Sequence, residues 1–138
     1  MKPNVILKQN IPYANLINSA LSLCDIMLAH SPILYPFAVI SIDKDVQCVF
    51  SEHDGQETPQ DLIEALEDQL NAQRLMAEDA VGILVYAATI SQPDGLEDDA
   101  LVLNITDSAG CNTITVYPYM HIGRKIELGL PYTCDFSN

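Results

Sequence analysis

Residues 80–90 read Ala80-Val81-Gly82-Ile83-Leu84-Val85-Tyr86-Ala87-Ala88-Thr89-Ile90, a run that is apolar almost throughout. A run of this length suits either a buried helix or a strand covered on both faces. Its Val, Ile and Thr content, and the Ser91-Gln92-Pro93-Asp94-Gly95 break after it, favour the strand. Asp99–Thr106 follows as a second strand, then an Asp107-Ser108-Ala109-Gly110 turn. Cys111–Tyr117 comes next, where Ile114 and Val116 alternate with Thr113 and Thr115. Together these segments predict a three-strand antiparallel meander.

Upstream of the meander, Thr58-Pro59-Gln60-Asp61 is the clearest helix start in the chain. Thr58 can accept from first-turn N–H groups, Pro59 presets φ, and Asp61 complements the positive helix end. Leu62, Ile63, Leu66, Leu70 and Leu75-Met76 then trace one face, predicting a helix over 59–77, with Glu64, Glu67, Asp68 and Asn71 toward water. Before it, Phe37–Ile42 and Val46–Phe50 flank Asp43-Lys44-Asp45 as a hairpin. A first helix is expected from Ile11 to His30, with apolar positions from Tyr13 to Leu28 in helical spacing. Ser31-Pro32 stops it. Val5-Ile6-Leu7 reads as a lead-in strand. The tail from Pro118 reads as irregular apart from a short edge strand at Lys125–Leu128.

The order helix, hairpin, helix, meander predicts an α+β domain over residues 1–138. Its expected core is a five-stranded, mainly antiparallel sheet with both helices packed on one face. Under that arrangement the far side of the 80–90 strand is left bare. A self-association interface through the sheet, centred on Val85, or the ordered tail is the expected cover.

The chain has 138 residues, 49% hydrophobic and 18% charged, which fits a single globular domain and excludes a disordered or fibrous chain. Six basic against 19 acidic residues give a net charge of −13. Duplex DNA carries one charge per ~1.7 Å, and Lys2, Lys8, Lys44, Arg74, Arg124 and Lys125 are too scattered to neutralise it. Neither nucleic acid nor membrane is an expected partner, and a basic protein surface is. Asn10, Asn15, Asn18 and Asp25 interrupt any N-terminal apolar run, so a cytoplasmic location is expected.

Catalytic constellations are sparse. Asp43-x-Asp45-x-Gln47 begins like a calcium loop, but Cys48 stands where that loop needs glycine. Asp94-x-x-Glu97-Asp98-Asp99 reads as a solvated, edge-protecting turn. Cys24, Cys48, Cys111 and Cys134 have no C-x-x-C spacing, and Cys48 and His53 lack the second close pair a zinc site requires. His30 falls at a helix end, where the dipole favours a cation. No nucleophile elbow or phosphate-binding glycine loop occurs. No catalytic residue, metal or cofactor is therefore expected. Tyr117, Tyr119, His121, Arg124 and Lys125 remain as interface candidates: aromatics beside the chain's one adjacent basic pair. The bland alternative is that Arg124 and Lys125 pair with nearby carboxylates.

Tyr35-Pro36-Phe37-Ala38-Val39-Ile40, Thr58-Pro59, Asp98-Asp99-Ala100-Leu101 and Pro131-Tyr132 resemble a group of small stand-alone bacterial proteins without assigned function. That resemblance implies a compact α/β domain and no chemistry. The order of elements is similar to that of roadblock and related longin-like domains, which pair as dimers and scaffold regulatory assemblies; function does not follow from fold. The reading is a non-enzymatic protein-interaction domain, self-associating and open to a basic partner. An acidic inhibitor, immunity-type protein or nucleic-acid mimic is one alternative. A small-ligand binder or enzyme with a site near His121 and Arg124 is another.

Overall fold

The computed structural model describes residues 13–43, 45–51, 56–91 and 93–135. Within them the order is α1 (Ala14–His30), β1 (Phe37–Ile42), β2 (Asp45–Phe50), α2 (Pro59–Leu75), β3 (Val81–Ser91), β4 (Glu97–Thr106), β5 (Asn112–Ile122), β6 (Lys125–Leu128) and β7 (Tyr132–Asp135). The expected lead-in strand at Val5–Leu7 lies outside the described residues.

The α+β class holds, but the described sheet has seven strands rather than five. Its order is β2-β1-β3-β4-β5-β6, with β7 also pairing β5, and every pairing is antiparallel. The difference lies in the tail. β5 runs on to Ile122, and Gly123 (φ 66°) opens a two-residue turn into β6. β6 lines Tyr119–Ile122 and β7 lines Thr113–Val116, together forming one edge strand with a break. Pro118 sits opposite that break, where the Gly129 N–H donates to its carbonyl at 2.7 Å. A residue in an antiparallel strand turns its N and its carbonyl toward the same neighbour. The missing proline N–H therefore faces the break, and no bond to β4 is lost.

The helices lie on opposite faces, which corrects the one-face expectation. Phe37 and Val39 of β1, Ile83 and Val85 of β3, and Leu101, Leu103 and Ile105 of β4 pack with Leu16, Ala20, Cys24 and Leu28 of α1. The intervening Ala38, Ile40 and Leu84 pack with Leu66 and Leu70 of α2. Alternation along β1 and β3 sends successive side chains to different helices. Both faces of β3 are thus covered within one chain over residues 82–85. From Tyr86 to Ser91 the strand alternates between half-buried and exposed positions, so the expected double burial holds for its first half. Val85 is 0% exposed beneath α1, so it is not a surface through which copies could meet.

α1 reaches across the sheet as far as Ile126 of β6, and Asp25 Oδ1 accepts from the Ile126 N–H at 3.5 Å. α2 covers a narrower span, chiefly β1 and β3. It begins with a reciprocal capping box: the Asp61 N–H donates to Thr58 Oγ1 at 3.1 Å, and the Thr58 N–H donates to Asp61 Oδ2 at 3.2 Å. At the β1–β2 turn, Asp43 takes φ 55° and its N–H donates to Asp79 Oδ2 at 3.1 Å. The aborted calcium motif is therefore a hairpin turn tied to the loop before β3. Among the described residues no helix is long and apolar enough to cross a membrane.

Thr58→Ala should cost about 1 kcal/mol, lowering the melting temperature by about 3–5 °C in calorimetry. Val85→Arg should unfold the chain itself, because it drives a charge into the α1 layer. A folded Val85→Arg variant by circular dichroism would contradict the burial of β3.

Candidate functional site

The predicted interface cluster is divided by the sheet. Asp99 of β4 pairs with Tyr119 of β5, and Tyr119 and His121 share the α1 face. Their rings meet edge-on at 5.8 Å between centroids. Together with Thr89, Ala87 and the Pro32–Leu34 segment they line an open groove of about 440 Å³ just past the end of α1. Burial, followed by Asp99 and Cys24, pushes the Tyr119 phenol up, and burial alone does so for Tyr117. The Asp94 loop folds on itself, with the Leu96 N–H donating to Asp94 Oδ1 at 3.0 Å. Among the described residues no three His, Cys, Asp or Glu side chains converge on a metal-sized site.

Arg124 lies in the β5–β6 turn and Lys125 opens β6. Neither lines the Tyr119–His121 groove. The structure thus brings Tyr119, His121 and Asp99 together and leaves the basic pair at the sheet's tip. Among the described residues neither cation has a carboxylate at ion-pair distance.

Met120 and Ile122 alternate with Tyr119 and His121 and therefore face the other side, as do Tyr132 opposite Val116 and Lys125 opposite Ile122. Met120 is 60% exposed, Ile122 55% and Tyr132 44%, with Leu130 projecting from the nearby bend at 90%. Sequence reading missed this patch. Its residues lie in the segment read as irregular, where no alternation was sought.

A second concavity escaped sequence reading altogether. Between the last turns of α2 and the β4–β5 hairpin is a cleft of about 230 Å³ lined by Glu67, Asn71, Arg74, Asn104, Thr106 and Asn112, with Leu70 and Leu84 at its base. Gly82 lets α2 approach here, since a Cβ there would stand 3.1 Å from Leu70 Cδ2. Arg74 Nη1 donates to Asn71 Oδ1 at 3.1 Å, and Thr106 Oγ1 donates to Asn112 Oδ1 at 3.0 Å. Arg74 Nε and Asn104 Oδ1 are shielded from water and have no partner among the described residues. Glu67, together with burial as the larger cause, raises the Tyr86 phenol. Arg74 looks in the sequence like one scattered cation, and three asparagines at unrelated spacings give no motif.

No family model, curated protein or solved structure matches this chain. The likeness to roadblock and longin-like domains therefore rests on element order alone.

Burial pushes the Cys24 thiol up to about 12 from an ordinary 9.0. Between those values the unfolded chain ionises while the folded chain does not. The unfolded state then holds fewer protons, and stability falls as pH rises. The melting temperature should drop progressively above pH 9. At pH 8 a thiol reagent should modify exposed Cys48 and Cys111 while sparing Cys24. Modification of Cys24 at the same rate as the other two would contradict its place beneath α1.

Proposed function

We propose that this chain is a non-enzymatic protein-interaction domain that self-associates through the outer strands of its sheet. The observation that carries this reading is the exposed apolar group of Met120, Ile122 and Tyr132, with Leu130 in the bend between β6 and β7, on the face of the outer strands opposite the one that α1 covers. Large exposed apolar side chains gathered together mark association surfaces more often than singles do.

Charge favours a second copy as the occupant. Repulsion between two chains of −13 opposes contact over most of the surface. Arg124 and Lys125 border the outcrop, however, and on the same face Lys125 lies beside Ile122 while Glu127 lies beside Met120. A two-fold arrangement is self-complementary, so Lys125 of each copy can meet Glu127 of the other around an apolar centre. Four apolar side chains make a small centre, and the dimer should be weak and concentration-dependent. The acidic outer side of α2, with Asp61, Glu64, Glu67 and Asp68 exposed, stays open to a basic partner.

Analytical ultracentrifugation tests this. The weight-average mass should rise from 15.2 kDa toward twice that value across the micromolar range. Ile122→Lys should hold the chain monomeric while keeping its melting temperature within a few degrees. Ile26→Lys, at a comparably exposed position on α1, should leave association intact. A monomer at every concentration, or equal effects of both substitutions, would refute association through this face.

A further inference from the structure

The cleft under α2 has features that self-association leaves unexplained. Arg74 is a part-buried cation in a strongly acidic chain, yet among the described residues its side chain's one hydrogen bond is to an amide, Asn71, through Nη1. Its place in the last turn of α2 explains the sign of its charge through the helix dipole. The dipole does not explain a guanidinium whose Nε has no acceptor. The edge turned away from Asn71 is Nε–Nη2, whose two parallel N–H donors have the spacing of a carboxylate; here Nε is shielded and Nη2 lies beside Gly110. Across the cleft, Asn104 Oδ1 is an acceptor without a donor. Leaving two such groups unpaired and out of water is unusual in a folded chain.

We propose that this cleft binds a small zwitterion of the α-amino acid class, with its carboxylate on the Nε–Nη2 edge of Arg74 and its ammonium donating to Asn104 Oδ1. Glu67 at the rim adds an anion that favours the ammonium. At about 230 Å³ the space is smaller than the roughly 300–1,000 Å³ of pockets for drug-sized ligands, which limits the ligand to a small one. Nε and Asn104 Oδ1 are both shielded in the unliganded arrangement, so binding takes rotation of both side chains toward the cleft. The proposal is independent of self-association. Tyr132, the outcrop residue nearest the cleft, pairs Val116, four residues from Asn112 on β5 and ~13 Å at strand rise, and neither it nor Met120 lines the cleft.

The test is a ¹⁵N NMR titration of the full chain with glycine, L-alanine and L-serine, reading the Arg74 Nε–Hε signal and the backbone amides of residues 70–74, 104–106 and 110–112. Acetate, ammonium and inorganic phosphate serve as part-ligands. A saturable shift with an amino acid, at least tenfold tighter than with acetate, is expected. Arg74→Lys keeps the last-turn charge but loses the paired donors, and should weaken binding at least tenfold while the melting temperature holds. No saturable shift up to about 10 mM would overturn the proposal. Equal binding of acetate, tighter binding of phosphate, or unchanged binding in Arg74→Lys would overturn it as well.

Discussion

A strand segment that is apolar on both faces must be covered on both faces, and residues 82–85 in the first half of β3 set that requirement for this fold. Ile83 and Val85 turn one way and Leu84 the other, all essentially without solvent contact. At about 25 cal/mol per Å² of apolar area, exposing either row would cost several kcal/mol. That is a large share of the 5–15 kcal/mol by which domains are stable. The chain meets the requirement by sending α1 over one face and α2 over the other. β1 lies beside β3 and repeats the division, with Phe37 and Val39 under α1 and Ala38 and Ile40 under α2.

The unequal reach of the two helices then shapes the surface. α1 extends to β6, and just past its end Tyr119, His121 and Asp99 gather in an open groove on the same face. α2 packs mainly on β1 and β3. On its face the start of the β4–β5 hairpin is left with a polar cleft, and the outer strands with an apolar outcrop. Both features follow from one helix being narrower in coverage than the sheet beneath it.

Local chemistry was readable wherever a residue type has one strong preference. Thr58-Pro59-Gln60-Asp61 announces a helix start, Phe37–Ile42 a strand, and Ser31-Pro32 a helix end, and each is found there. The faces of the helices were not readable. An apolar stripe such as Leu62, Leu66 and Leu70 fits either side of a sheet, and strands with apolar residues on both faces do not discriminate. The outer strands were hidden by Pro118 and Pro131, which look like breakers. Pro118 is tolerated because the gap between β6 and β7 leaves its nitrogen with no bond to make. Of the proposed interface residues, Tyr119 and His121 are joined in one groove, Arg124 and Lys125 lie apart from it at the tip of the sheet, and Val85 belongs to the core. The Arg74–Asn104 cleft joins α2 to β4 across thirty residues of chain, a juxtaposition only the folded structure creates.

The two-sided burial of β3 is tested most directly by methyl NOE spectroscopy on a dilute, monomeric sample. The Val85 methyls should contact α1 side chains around Cys24, and the Leu84 methyls should contact Leu66 and Leu70, with no crossing between the sets. Contacts from Val85 and Leu84 to the same helix would contradict the account, as would Val85 contacts that arise only between chains.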